Sequence, residues 1–177
     1  MNSNKKLSTQ NKDLDTILVL DFGSQYTQLI ARRIRELDVF SEILPWDIAK
    51  EKILDINPKG VILSGGPESV TTANTPRIPE IIFELGIPIL GICYGMQTLA
   101  EQLGGQVTAS KIKEFGHAAI TIEQPSILFD GFSRGSSIDV WMSHGDHVLT
   151  LPDQFNLIAS TQSAPIVAME HVQKPIY

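Results

Sequence analysis

The first half of the chain alternates short apolar runs with stretches of helical periodicity. The apolar run 17–22 ends at a glycine and predicts a buried first strand. Apolar side chains at helical spacing then predict an amphipathic helix over 25–37. The same alternation predicts strands at 39–44, 60–63 and 88–92, and helices at 47–56, at 77–85 and around 96–103. This pattern is typical of an α/β fold with a doubly wound, mostly parallel sheet and flanking helices.

From Gly105 onward the pattern changes to short strand candidates separated by turns. We expect this half to be an added antiparallel β portion that folds onto the same sheet. The candidates are 107–112, 118–123, 137–142, 156–161 and 166–170. Residues 1–15 are polar and predict a disordered tail, so 16–177 form one predicted domain. The apolar residues within 174–177 indicate a strand that is just beginning, and we expect the domain to be truncated there.

Charge and cysteine content narrow the class of protein. The chain has 14 Lys and Arg against 20 Asp and Glu, a formal net charge of −6, which argues against a general binder of nucleic acid or anionic membranes. One cysteine, Cys93, cannot form an intramolecular disulfide and indicates a reducing compartment. The polar N-terminal segment is no secretion signal, and no apolar run reaches the length of a membrane span. We therefore expect a cytoplasmic protein.

The strongest chemical signal is the string GICYGMQ (91–97), which places Cys93 between a buried strand and a helix. Glycines two residues before and after it, Gly91 and Gly95, leave room for the sharp turn of a nucleophile elbow. The helix N-terminus would favour the thiolate, so we expect Cys93 to react faster than free cysteine with small alkylating agents. The competing interpretation is a buried cysteine that only fills space.

A second signal is LSGGPES (63–69), a Gly-Gly pair directly after the third strand. Backbone N–H groups without a Cβ nearby suit an oxyanion hole. The string also resembles the phosphate loop of ATP pyrophosphatases, but Pro67 removes a donor and no helix is predicted directly after it. A glycine-rich surface turn remains the simple alternative.

Two further strings have weaker interpretations. DFGSQYTQ (21–28) shares Asp-Phe-Gly with protein kinases but has none of their other motifs, so a tight turn with Ser24 or Gln25 opening the helix is favoured. In WMSHGDHV (141–148), a metal site at His144, Asp146 and His147 has weak support. Recognition of a small polar substrate by the backbone of a turn at 143–145 is equally plausible.

The remaining histidines, His117 and His171, are interpreted as surface or turn residues, with His171 in a turn that precedes the last strand.

Taken together and in this order, GICYGMQ, SGGP and MSHGD resemble the class I, or triad-type, glutamine amidotransferases, which have a flavodoxin-like α/β fold. The string at 21–36 is similar to the amino-terminal amidotransferase domains of the GMP synthetase family, and the resemblance covers 16–177. It implies that Cys93 is the nucleophile that attacks the amide of glutamine, with backbone N–H groups of Gly66 and Tyr94 as the oxyanion hole. The substrate-binding residues that it implies are Gly65, Gly66, Gln97, Ser143, His144 and Gly145.

The resemblance also implies what lies outside the chain. Family members complete the triad with a His and a Glu in a HisProGlu motif on the strand that follows the position of Tyr177, so no general base is assigned here and the fragment is expected to be inactive alone. This domain would need no cofactor or metal. A synthetase domain of the same parent chain, which we expect to be a homodimer, would use ATP and Mg²⁺ to aminate XMP to GMP with the released ammonia.

Two other functions remain open. One is a non-catalytic module that senses glutamine or docks a synthetase, and the other is a different hydrolytic or chaperone-like α/β fold with an elbow cysteine.

Overall fold

The structure is a computed structural model that describes residues 14–177, without the side chains of 110–115 and 143–144. The predicted disorder of the tail therefore falls, up to residue 13, outside the described residues.

Four parallel strands form the first sheet, in the order β2-β1-β3-β4. Their bounds are β1 Thr16–Asp21, β2 Phe40–Pro45, β3 Gly60–Leu63 and β4 Ile89–Gly91. Helices follow the strands: α1 Thr27–Arg35, α2 Lys50–Ile56, α3 Glu80–Glu84 and α4 Tyr94–Gln102. Leu18, Val19 and Leu20 are fully buried because helices and the second sheet cover the apolar strands on both faces. The predicted α/β fold with a parallel sheet is confirmed.

Two predicted helices begin three residues later than expected, and α1 begins two residues later. The helix expected from Asp47 begins at Lys50, because Trp46 and Asp47 form a turn in which Ile48 N–H donates to the Pro45 carbonyl. The helix expected from Arg77 begins at Glu80. Ile78, two residues before this helix, is instead held through both backbone groups by the side-chain amide of Gln102.

The C-terminal residues 175–177 add a further position to the parallel sheet. Ile176 pairs in parallel with Ile89, and Tyr177 both donates to the Ile89 carbonyl and accepts from Gly91 N–H, each at 2.9 Å. The strand that was predicted to begin at 174–177 is thus confirmed. The resulting order, with this segment beyond β4, is that of flavodoxin-like sheets.

The second half forms an antiparallel sheet of its own whose apolar residues pack on the parallel half, which confirms the expected antiparallel β portion. Antiparallel strands β5 Gln106–Ile122, β6 Ser137–Thr150, β7 Phe155–Ser160 and β8 Ala168–His171 lie in the order β6-β5-β7-β8. They do not pair with β4 because its outer edge is occupied by Ile176. The candidates 107–112 and 118–123 are parts of one long strand, β5.

The turn predicted at 143–145 is also corrected, because these residues continue β6. The backbone of Ser143 pairs opposite Phe115, and that of His144 opposite Glu114. A register shift follows between Ala109 and Glu114, beside Gly145. Long-range pairing with β5 thus overrides the local turn signal of the glycine.

One hydrophobic core joins the two sheets and thereby positions the site. Leu63 and Leu99 from the parallel half pack in the same cluster as Val148 and Met169 from the antiparallel half. The α4 helix consequently lies against β6. A smaller cluster around Ile122 supports the outer part of the second sheet. None of the helices in the described range has the length and apolar character needed to cross a bilayer.

Candidate active site

Cys93 lies at the sharp turn between β4 and α4. Its backbone has φ 50° and ψ −111°, an uncommon conformation for a residue with a side chain. The strand-turn-helix geometry that the sequence predicted around Cys93 is therefore confirmed. This turn presents the thiol at the carboxyl edge of the parallel sheet, where α/β folds place ligands.

The glycines on either side of Cys93 are required by close backbone contacts. A Cβ on Gly91 would come within 2.7 Å of the backbone of Met96, and one on Gly95 within 2.7 Å of the Leu63 carbonyl carbon. Gly95 N–H also donates to the Ser64 carbonyl at 3.0 Å. The elbow is thus packed directly against the end of β3.

The Gly-Gly pair after β3 lies beside the thiol. A Cβ on Gly65 would be 3.6 Å from Cys93 Cβ, whereas one on Gly66 would be 2.6 Å from the Phe22 carbonyl oxygen. Among the described residues, neither the Gly66 N–H nor the Tyr94 N–H donates to a protein acceptor. Both donors are therefore free to meet a ligand.

The side chain of Tyr94 takes no part in this arrangement. It is buried, its hydroxyl donates to the Pro76 carbonyl at 2.6 Å, and its ring lies 5.5 Å from that of Phe22.

Residues 67–79 after the Gly-Gly pair contain no helix. A phosphate loop would need a helix N-terminus here, so the structure supports the rejection of that alternative.

Within the described part of the chain, Cys93 lines three cavities, two of which contain further residues predicted for the site. One, of about 270 Å³, is lined by 23–26 from the loop after β1 and by 65–67. The other, of about 80 Å³, is lined by residues that include Gln97, Asp146 and His147. The sequence analysis interpreted 21–28 only as a structural turn and did not predict that this loop lines a cavity with Cys93. The signal was present, because β1 and β3 are neighbours in a parallel sheet and their carboxyl ends must lie side by side.

Gln97 connects α4 to β6 across the smaller cavity. Its side chain is buried, and its Nε2 donates to the Asp146 carbonyl at 2.8 Å. The Asp146 Oδ2 atom is buried without a hydrogen-bond partner among the described residues. The cavity that Asp146 shares with Cys93 therefore contains a hydrogen-bond acceptor, Asp146 Oδ2, that no described group uses.

The predicted site residues are brought together in part. Cys93, Gly65, Gly66 and Gln97 converge, and Gly145 lies next to Asp146 in β6. The side chains of Ser143 and His144 lie outside the described residues.

The pKa of the Cys93 thiol is shifted in the direction opposite to the one expected from the sequence. Burial raises the pKa of the thiol above the ordinary value, opposite to the lowering expected from the helix N-terminus. No Lys, Arg or His side chain in the described part of the chain hydrogen-bonds to the sulfur. A raised pKa favours the protonated thiol, whereas the fast alkylation expected for Cys93 stays a prediction for a rate measurement.

His117 matches its interpretation as a surface residue, whereas His171 is the last residue of β8 and the predicted turn follows it. His117 is exposed and lies 3.0 Å from Asp139, and His171 Nδ1 accepts from the N–H groups of Gln173 and Lys174 in a turn. Asp146 and His147 belong to no group of three potential metal ligands among the side chains that the structure describes. The side chain of His144 lies outside that set.

Comparisons with known proteins agree with this geometry. Residues 18–177 match the family model described as glutamine amidotransferase class-I. The chain is 56% identical over 175 residues to the GMP synthase (glutamine-hydrolyzing) of Teredinibacter turnerae and 51% identical to that of Edwardsiella ictaluri. Each match covers 96% of this chain and 33% of the relative, so the chain spans about a third of the length of these curated relatives.

Solved structures give the same picture. A putative GMP synthase subunit from Thermoplasma acidophilum superposes with a TM-score of 0.77 at 31% identity, covering 93% of this chain and 81% of that one. A glutamine amidotransferase from Thermotoga maritima has a TM-score of 0.69 at 21% identity, which supports the fold alone, over 91% of this chain and 72% of that one.

Proposed function

The chain belongs to the class-I glutamine amidotransferases, and from that premise we propose that it hydrolyses glutamine to glutamate and ammonia through a Cys93 thioester. The observation that carries the proposal is the strained Cys93 elbow beside two unused backbone donors, Gly66 N–H and Tyr94 N–H. A thiol and an oxyanion hole in this arrangement are the parts that acyl transfer requires.

The proposed reaction follows from that arrangement. The Cys93 thiolate attacks the side-chain amide carbon, and the negative oxygen accepts hydrogen bonds from Gly66 and Tyr94. The C–N bond then breaks, and the nitrogen takes a proton and leaves as ammonia. Water attacks the thioester through a second oxyanion and releases glutamate. The amino-acid end of glutamine is held by Gln97 together with the backbone of 143–145, and Gly65 shapes the floor.

A base is needed because the thiolate is the nucleophile and burial raises the pKa of the Cys93 thiol. Residues 175–177 run parallel to β4, so the chain that follows Tyr177 would emerge beside Cys93. We assign the base to a His at that position, oriented by a Glu, as the resemblance to the family implies. The chain is then the amidotransferase part of a longer protein.

The longer protein would resemble the GMP synthases that the chain matches. Its synthetase part would use ATP and Mg²⁺ to aminate XMP with the ammonia released here, in the cytoplasm and as a homodimer. The amidotransferase part itself would need no cofactor.

A second candidate is a non-catalytic module that binds glutamine or docks a synthetase. The raised pKa of Cys93, whose sulfur accepts no hydrogen bond from a described Lys, Arg or His side chain, favours this alternative. A catalytic elbow held under backbone strain favours the enzyme, because strained conformations of this kind concentrate at functional sites.

The deciding experiment measures glutamate release by the longer protein, by its Cys93→Ala variant and by residues 1–177 alone. We expect Cys93→Ala to lower kcat by more than about 10⁴-fold, as loss of a triad nucleophile does, while amination from added ammonia persists. Residues 1–177 should show no appreciable turnover. Near wild-type hydrolysis by Cys93→Ala would contradict the enzyme proposal, and equal turnover by the short and long chains would contradict the assignment of the base.

A further inference from the structure

Ser64, the residue directly before the Gly-Gly pair, connects three parts of the site. It is fully buried, and its backbone N–H donates to the Leu20 carbonyl at 3.0 Å. Its carbonyl accepts from Gly95 N–H in the elbow, also at 3.0 Å. Ser64 therefore ties the end of β1 to the first turn of α4.

The hydroxyl of Ser64 makes two further hydrogen bonds. Its Oγ accepts from Phe22 N–H at 3.0 Å and donates to the Gly65 carbonyl oxygen at 2.8 Å. The first bond fixes the loop after β1, which lines the larger cavity. The second bond holds the carbonyl of one particular peptide unit, Gly65–Gly66.

That peptide unit also contains the Gly66 N–H. All described peptide bonds are trans, so the C=O and N–H of a unit point in opposite directions. A carbonyl held against the buried Ser64 hydroxyl therefore turns the Gly66 N–H away from Ser64, toward the open side where Gly66 lines the cavity with Cys93. Two successive glycines have wide backbone freedom, so without this bond the unit could rotate.

We propose that Ser64 is a positioning residue that locks the Gly65–Gly66 peptide with its N–H directed at the oxyanion. The inference rests on the proposed glutamine hydrolysis, because an oxyanion forms only in that reaction. Ser64 itself does not touch the substrate and acts through Gly66. Its effect is on the rate of the chemical steps, since preorganised donors act where charge develops.

Ser41 provides a matched control. It is also fully buried, and its Oγ donates to a backbone carbonyl, that of Ala31, at 3.0 Å. This bond joins β2 to α1 at the far edge of the parallel sheet from β4. Loss of the Ser41 hydroxyl removes one buried hydrogen bond and loss of the Ser64 hydroxyl removes two, but only Ser64 holds the oxyanion peptide.

The kinetic experiment measures glutamine hydrolysis by the longer protein with Ser64→Ala, Ser64→Cys or Ser41→Ala. We expect both Ser64 variants to lower kcat roughly 10- to 100-fold, less than the loss of a whole oxyanion donor, with little change in KM. Ser64→Cys keeps the volume but donates poorly, so it separates hydrogen bonding from packing if Ser64→Ala folds badly. Ser41→Ala should lower the unfolding temperature and leave kcat unchanged.

A second measurement does not depend on hydrolysis. In the 177-residue chain, the Gly66 amide should give one sharp NMR signal in the wild type and in Ser41→Ala, but a doubled or broadened one in Ser64→Ala and Ser64→Cys. An unchanged kcat, or a rise in KM alone, would overturn the proposal, as would an unchanged Gly66 signal in both Ser64 variants. A wild-type protein that releases no glutamate would instead refute the proposed function, and the Gly66 signal would still decide whether Ser64 locks the peptide.

Discussion

The two walls that meet at Cys93 are built by different means. The glycine wall, formed by 65–66 and the loop after β1, belongs to a single parallel sheet and offers backbone N–H groups. The opposite wall joins α4 to β6 of the other sheet through the Gln97 amide and the Asp146 carbonyl. One wall is thus made by local chain geometry, and the other by the packing of two sheets.

This difference assigns separate parts of the chemistry to each wall. Backbone donors fixed by short-range contacts suit stabilisation of a charge that forms for an instant, which governs kcat. Side chains brought together across a core suit recognition of the resting substrate, which governs KM. Substitutions in the two walls should therefore separate the two kinetic constants.

The largest effect is expected for Gly66→Ala. Its Cβ would come within 2.6 Å of the Phe22 carbonyl oxygen, so the backbone must shift and carry the N–H donor with it. We expect kcat for glutamine hydrolysis to fall roughly 10²- to 10³-fold, as for loss of an oxyanion donor. Steady-state kinetics of the longer protein measure this, and ammonia-dependent amination reports whether the variant folds.

Gly65→Ala is the matched control for that substitution. Its Cβ would make ordinary contacts, 3.5 Å from Ser24 Oγ and 3.6 Å from Cys93 Cβ. The decrease in kcat should be clearly smaller than for Gly66→Ala. Equal decreases, or normal turnover by Gly66→Ala, would show that the oxyanion donor is not at Gly66.

An intermediate effect is expected on the opposite wall, for Gln97→Glu. The substitution keeps the shape but replaces the Nε2 donor with a carboxylate oxygen that faces the Asp146 carbonyl. We expect KM for glutamine to rise about tenfold, the equivalent of one lost hydrogen bond near 1.4 kcal/mol, with a smaller change in kcat.

Gln102→Glu tests whether that effect is specific. Gln102 lies on the same helix, and its Nε2 donates to the Ile78 carbonyl at 3.0 Å. The substitution makes the same chemical change away from Cys93, so the unfolding temperature should fall while KM stays constant. A similar rise in KM for both variants would mean that Gln97 acts only through the stability of α4.

The smallest effect is expected outside both walls, at the turn that leads into 175–177. Burial, with the nearby Lys174 charge, lowers the pKa of His171 below its ordinary value of 6.5. Protonation would also remove the Nδ1 acceptor of Gln173 and Lys174. A lowered pKa means that the unfolded chain binds more protons, so stability is complete above pH 6.5 and falls as the pH drops through the lowered value.

His171→Asn keeps an acceptor in this turn without a charge to gain. Unfolding temperatures of both proteins between about pH 7.5 and 5 should show a steeper loss for the wild type. The neighbouring carboxylates, Glu170 in β8 and Asp153 in the adjoining cavity, are present in both proteins. Parallel curves would show that His171 does not contribute to the pH dependence.

Local patterns predicted the Gly-Gly pair and the elbow, but neither the part played by the loop after β1 nor the course of β6. The bounds of β3 and the elbow at Cys93 follow from an apolar run and two glycines, which act within a few residues. The course of β6 through Ser143 and His144 depends on pairing with β5, and no local signal reports such pairing. Ser64 was missed because a buried serine and an exposed one are identical in a sequence.

The position of 175–177 determines when the site can assemble. This segment occupies the edge of the parallel sheet next to Ile89, yet the whole antiparallel sheet lies between them in the chain. Closing so long a loop has a high entropic barrier and gives a high contact order, which slows folding. During synthesis the edge of β4 therefore stays unpaired until all strands of the antiparallel sheet and residues 175–177 have left the ribosome. Cys93 is thus synthesised well before the residues of β6 and of 175–177 that complete its surroundings.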